Sequence, residues 1–148
     1  MTDHRDDPEA RDLRRLELAP LLTRVFRGGR TWFLGLNGPL DSVSVGTFRE
    51  TITRLLAEKC RSLVVDLRKV SYADSQGIRA LLNLRDEMMQ RRGRLRLVLP
   101  ETSRIRRSLH LLQFDALFHI YSTPAEAWRS ERRPEPRKPD GPSLTRPS

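Results

Sequence analysis

The sequence predicts an α/β domain: a mostly parallel sheet of four or five strands with an antiparallel hairpin at its edge, and four or five helices packed on it. Three observations carry that expectation. Strand-like and helix-like stretches alternate through the middle of the chain, the order produced by crossover helices between parallel strands. The run Leu63-Val64-Val65-Asp66-Leu67 is nearly continuous in apolar residues, as expected of a strand covered on both faces. Near the start, two short apolar runs flank Gly28-Gly29, which reads as a hairpin.

The elements follow in order. Residues 1–20 are charged and lack apolar periodicity before Leu13, so they are expected to form a flexible extension. Pro20 marks the entry to the domain. Leu21–Phe26 and Thr31–Leu36 make the hairpin, and Asn37-Gly38-Pro39 ends its second strand. Leu40-Asp41-Ser42 opens a helix whose free N–H groups Asp41 or Ser42 can cap. Phe48, Ile52, Leu55 and Leu56 recur at helical spacing and give it one buried stripe. Lys59-Cys60-Arg61 closes it, and the strand Leu63–Leu67 follows.

The turn Tyr72-Ala73-Asp74-Ser75-Gln76-Gly77-Ile78 then leads into a second helix, from Ile78 to about Gln90. Its stripe of Ile78, Leu81, Leu82, Met88 and Met89 is interrupted by Arg85. Cationic residues and a glycine, Arg91-Arg92-Gly93, stop it. Leu95, Leu97 and Leu99 alternate with Arg94, Arg96 and Val98 as a strand, which Pro100 ends. Thr102 or Ser103 starts a third helix with Ile105, Leu109 and Leu112 inward, and Leu117–Tyr121 is a short strand. Thr123-Pro124-Ala125-Glu126 combines a cap, a proline at the first helical position and a glutamate three residues on. Ala127 and Trp128 pack that last helix. From about Glu131 the chain is rich in Pro, Arg and Ser and is expected to be disordered. The reading is therefore an extension over residues 1–20, a domain over 21–130 and a basic tail over 131–148.

Composition narrows the function. A chain of 148 residues with 37% apolar content and two Trp is one domain with a real core. Its formal charge of +9 is spread as Arg over the domain and tail. The tail from Arg129 holds six Arg/Lys against three acids. No aromatic residues interleave with the basic ones as in nucleic-acid binders, so a solvated Arg-rich surface is expected and specific nucleic-acid binding is not. The single cysteine, Cys60, excludes an internal disulfide and fits a reducing cytoplasm. No run approaches a membrane span, and the Asp- and Arg-rich N-terminus is not expected to act as a signal peptide. His110 and His119 are separated, with no clustered Cys or acids, so no metal site is expected. No nucleophile–base pair and no Gly-x-x-x-x-Gly-Lys phosphate loop is visible. We therefore expect no enzymatic activity and no cofactor.

What stands out is the hydroxyl of Ser75, at the junction of a strand end and a helix start. Open α/β sheets place working residues there, and backbone N–H groups favour negative charge there. Taken alone, Ser75 reads first as a helix cap. Asp41 reads equally as a plain cap and as a site residue. Asp66 reads as a cap or a bond to a neighbouring loop, Cys60 as a small helix-end residue, and Met88 and Met89 as packing.

Four segments together resemble a known family. They are Leu36-Asn37-Gly38-Pro39-Leu40-Asp41; Leu63-Val64-Val65-Asp66-Leu67 through Asp74-Ser75-Gln76-Gly77-Ile78 to Leu81-Leu82; Leu95–Pro100 with Ile105–Leu109; and Phe114–Phe118 into Ile120-Tyr121 and Glu126-Ala127. In this order and spacing they are similar to STAS domains, specifically to bacterial anti-sigma factor antagonists, over roughly Leu21–Trp128. The resemblance implies a small STAS-type fold without catalysis. It implies that Ser75, after Asp74, is phosphorylated by an anti-sigma factor that is also a serine kinase. The unphosphorylated form would bind that partner and free a sigma factor; phosphorylation would end the binding, and a serine phosphatase would restore it. The partner-binding surface implied is Asp41, Asp74, Ser75, Gln76, Gly77 and Ile78. Many members carry Ser or Thr where this chain has Gln76, which bears on partner choice. STAS domains also sit on transporters and in bacterial lipid-transport complexes, so an accessory subunit of a transport assembly is the alternative that the resemblance implies.

Overall fold

Strand β1 (Leu22–Gly28) and strand β2 (Thr31–Leu40) form the expected antiparallel hairpin, turning at Gly29, whose φ of 62° suits glycine. The computed structural model describes residues 21–130; the extension expected over 1–20 and the tail expected over 131–148 lie outside them. Beyond the hairpin come α1 (Val45–Ala57), β3 (Ser62–Ala73), α2 (Ser75–Gln90), β4 (Arg94–Val98), α3 (Arg104–Leu111), a 3-10 turn (Asp115–Leu117), β5 (His119–Tyr121) and α4 (Pro124–Ser130). The sheet runs β1-β2-β3-β4-β5, with β1–β2 antiparallel and the other pairs parallel.

This order explains the layering. The parallel strands step in one direction across the sheet, so crossovers of one hand place α1, α2 and α3 on the same face. Leu63, Val65 and Leu67 of β3 meet Phe48, Ile52 and Leu55 of α1, Leu81 and Met88 of α2, and Ile105 and Leu109 of α3 in one core. Helix α4 takes the opposite face, where Ala127 packs with Val64 and Val98. Phe26 stacks on Phe33 with ring centroids 4.7 Å apart, and Phe33 lies 5.6 Å from Trp128.

Several boundaries shift from the sequence reading, each for a tertiary reason. Strand β2 runs through Asn37-Gly38-Pro39 to Leu40, because β3 continues alongside it to Ala73. Strand β3 is longer than Leu63–Leu67 for the same reason: its last part has β2 as its partner, while β4 stops at Val98, opposite Asp66. The expected strand Leu117–Tyr121 is shortened to His119–Tyr121 by the 3-10 turn before it. The Arg85 that interrupts the α2 stripe is buried, and its Nε donates to the Leu117 carbonyl at 2.8 Å. Arg96 is fully buried as well. It stands beside Val64 in the row on which α4 lies, and its guanidinium reaches Ser62 Oγ at 3.3 Å. Two of the expected helix starts hold. Ser103 Oγ accepts from the Ile105 and Arg106 N–H groups, and Thr123 Oγ1 accepts from Glu126 N–H while Glu126 Oε2 accepts from Ser122 N–H.

Candidate functional site

The end of β3 delivers the chain to Asp74, and this aspartate, not Ser75, caps α2. Its backbone is extended, and Asp74 Oδ1 accepts from Gly77 N–H at 3.0 Å. Asp74 Oδ2 accepts from Ser42 N–H at 3.0 Å, and the Asp74 N–H donates to the Leu40 carbonyl at 3.3 Å. Both carboxylate oxygens and the amide are thus committed, and the turn is tied to the end of β2. Helix α2 therefore begins three residues earlier than the Ile78 its apolar stripe suggested, with Ser75 as its first residue. Capping by Asp74 also spares the Ser75 hydroxyl, which is solvent-exposed and accepts or donates no hydrogen bond among the described residues.

The neighbouring positions divide by burial. Gln76 is exposed beside Ser75, whereas Gly77 and Ile78 are buried. Ile78 sits in the core. Gly77 lies where α2 crosses the end of β2, and a Cβ there would run into the Leu40 carbonyl oxygen. Its role is close approach of backbone to backbone. Arg79, one helical turn beyond Ser75, is exposed and within i,i+4 reach of a group on that hydroxyl.

Asp41 does not cap α1, and neither does Ser42. The helix starts later, behind Ser44, without a side-chain cap. Asp41 Oδ1 instead accepts from the Val43 and Ser44 N–H groups at 3.0 Å each, and its Oδ2 accepts from Tyr72 Oη–H at 2.7 Å. Ser44 Oγ accepts from Asp41 N–H and donates to the Pro39 carbonyl. The Tyr72 hydrogen bond, aided by Ser44 and Val43, holds the Asp41 carboxyl below its ordinary range; the same bond raises the Tyr72 phenol above its own. The β2–α1 loop and the β3–α2 turn are therefore one knot: Asp41 binds Tyr72, and Ser42 binds Asp74.

Sequence reading placed Asp41 and Asp74 near a common surface through the family resemblance. It missed that Ser42, Val43 and Tyr72 build the same surface. Val43 is 70% exposed and Tyr72 48%, so an apolar tip and a phenol ring are exposed on the two segments that the Ser42–Asp74 and Tyr72–Asp41 bonds join. Ser42 and Val43 lie in the β2–α1 loop and Tyr72 near the end of β3, far apart in sequence, and the only local signal was the place of Tyr72 just before Asp74 and Ser75. The turn presents an exposed hydroxyl on the first residue of α2, directly after the capping carboxylate of Asp74.

Other singled-out residues lie elsewhere. Asp66 forms a surface pair with Arg68, Oδ2 to guanidinium at 2.9 Å. His110 Nδ1 lies 2.9 Å from Asp115 Oδ2. Cys60 is buried, with its thiol pushed up to about 11 by burial. Met88 is buried in the core. No helix among the described residues is long and apolar enough to cross a membrane.

Comparison with known proteins yields a consistent set. The family model for the STAS domain matches residues 27–127. The chain is 28% identical over 92 residues to the anti-sigma-F factor antagonist RsfB of Mycobacterium tuberculosis, covering 61% of this chain and 72% of that protein. Among solved structures, an anti-sigma factor antagonist from Mycobacterium paratuberculosis superposes with a TM-score of 0.67 at 24% identity, covering 74% of this chain and 92% of that one. The Bacillus cell fate determinant SpoIIAA in its phosphorylated form superposes with a TM-score of 0.58 at 21% identity, covering 75% of this chain and 100% of that one. SpoIIAA in its unphosphorylated form gives 0.59. These structures share the five-stranded mixed-sheet fold.

Proposed function

The chain belongs to the STAS domain family, and we propose that it acts within it as an anti-sigma factor antagonist switched by phosphorylation of Ser75. The unmodified surface around Ser75, Gln76, Val43 and Tyr72 docks an anti-sigma factor with serine kinase activity, releasing the sigma factor. The kinase transfers the γ-phosphoryl group of ATP to Ser75 Oγ: the new O–P bond forms as the bond to ADP breaks, and the hydroxyl proton leaves to a kinase base. A phosphatase hydrolyses the ester and resets the cycle. The observation that carries this reading is the division of labour at the turn: Asp74 does the capping, leaving the Ser75 hydroxyl exposed at the first turn of α2.

Electrostatics support a switch that leaves the fold intact. A phosphoserine adds about −1.5 to −2 charge and three acceptor oxygens. On Ser75 it meets the positive end of α2, which stabilises an anion by about 0.3–1 kcal/mol, and Arg79 stands within helical reach. At the docked surface the same charge sits against Asp74 and an apolar rim, where desolvation and repulsion oppose binding. A loss of about 3–4 kcal/mol lowers affinity several-hundred-fold. The relative SpoIIAA, which shares the fold, exists in both phosphorylated and unphosphorylated forms.

The test is intact mass spectrometry after incubation with ATP and an extract of the host, with Ser75→Ala in parallel. One added phosphate in the wild type and none in the variant supports the switch. Addition to both, or tight partner binding by the phosphorylated form, overturns it.

A further inference from the structure

At the opposite end of α2 from Ser75 the structure holds a concave cationic feature that the partner switch does not use. The loop between α1 and β3 and the loop between α2 and β4 meet there, joined by the Arg94 N–H bonding to the Arg61 carbonyl at 2.7 Å. Between them opens a pocket of about 420 Å³ lined by Lys59, Cys60, Arg61 and Arg91. Three of its four lining residues are cations and none is an acid. Among the described residues, none of the three cations forms an ion pair. Arg91 is oriented by a 3.5 Å hydrogen bond from its guanidinium to the Leu56 carbonyl. Arg92, exposed, adds a further cation beside them.

The negative ends of the α1 and α2 dipoles account for one cation near each helix terminus. They do not account for Arg61, which lies past α1 at the entrance to β3, nor for the convergence of all three on one concavity. Like charges held together repel, and a bound anion removes that penalty. The floor cannot supply it, because burial keeps the Cys60 thiol protonated. Guanidinium groups match phosphate oxygens in forked pairs, and the volume falls in the range of small-molecule sites.

We propose that this pocket binds a small anion carrying two or more phosphate groups. The site lies about 24 Å from Ser75, the length of a 16-residue helix, so it is separate from the docking surface, and the inference does not depend on the function proposed above. A free diphosphate and the diphosphate of a nucleotide offer the same chemistry, and the experiment separates them.

The test is isothermal titration calorimetry of the full chain with pyrophosphate and, separately, with ADP. Expected is binding at one site per chain, weakened about tenfold or more by the double variant Arg61→Gln/Arg91→Gln. Arg104→Gln/Arg107→Gln, exposed on α3, should leave it unchanged. All replaced side chains are exposed, and circular dichroism checks that each variant folds. Equal affinities for the two ligands assign recognition to the diphosphate; tighter ADP binding adds the nucleoside. Absence of binding to the wild type overturns the proposal. So does equal weakening by the α3 variant, which would mark general attraction to a basic surface.

Discussion

Replacing Gly77 by alanine sets two physical effects of opposite sign against each other. In an exposed helix interior the change is favourable by about 1 kcal/mol, since glycine loses more backbone entropy on folding. Here the added Cβ would run into the Leu40 carbonyl oxygen, with the carbonyl carbon at 3.0 Å and Leu40 Cγ at 3.1 Å. A flexible side chain could step aside, but these are mostly backbone atoms in a paired strand. Helix α2 must therefore lift at its first turn. Lifting strains the hydrogen bonds of Asp74 to Gly77 N–H, to Ser42 N–H and to the Leu40 carbonyl. Overpacking costs about 1–3 kcal/mol, and loss of the cap about 1 kcal/mol more. After the propensity gain, the net expectation is a destabilisation of about 1–3 kcal/mol. For a domain of this size that lowers Tm by roughly 5–15 °C. Thermal melts and urea titrations of the two proteins measure it, and the urea slope should be unchanged. A variant that melts at or above the wild type would show that helix propensity outweighs the contact with Leu40, and the account of how Ser75 is positioned would fall with it.

Four further outcomes are expected. Tyr72→Phe removes the hydrogen bond that contributes most to the lowered Asp41 pKa; an NMR titration should show that pKa rise. The sign for stability follows: a depressed carboxyl stabilises above its unfolded pKa and loses that contribution as pH falls through its folded value, so the variant should lose less stability than the wild type below about pH 4. Cys60, with its thiol raised to about 11, should resist alkylation at pH 8 until the protein unfolds. Because the raised thiol is favoured in its neutral form, stability should decline as pH climbs from about 9 toward 11, and Cys60→Ala should flatten that decline in urea titrations. Ser103→Ala loses both N-cap hydrogen bonds of α3 and should cost about 1 kcal/mol, read from the urea midpoint. Arg85→Ala leaves the Leu117 carbonyl without its donor and a cavity in the core; a loss of about 2 kcal/mol or more is expected, and an unchanged midpoint would contradict it.

Features encoded within a few residues were legible in the sequence. The hairpin showed in Gly28-Gly29, the α1 stripe in Phe48, Ile52, Leu55 and Leu56, and the starts of α3 and α4 in Ser103 and in Thr123 with Glu126. The α2 boundary was read late because Ser75 and Gln76 are exposed and carry no apolar periodicity; what marks them as helical is the Asp74 cap. Arg85 interrupted a helical stripe and Arg96 held an alternate position of the β4 strand, yet both are buried, since a guanidinium with a carbonyl or hydroxyl to bond can occupy an interior position.

By itself the sequence determined the alternation of strands and helices, the parallel sheet with its antiparallel edge, and the place of Ser75 at a strand-to-helix turn. Period and turn chemistry act over a handful of residues, so a linear reading recovers them. Only the tertiary structure decided that Tyr72 and Ser42 tie the two loops together and that Gly77 lies against Leu40. Each of these depends on β3 pairing with β2 as far as Ala73. That extended pairing brings Leu40 beside Asp74 across more than thirty residues of chain, and no local pattern encodes a contact of that range.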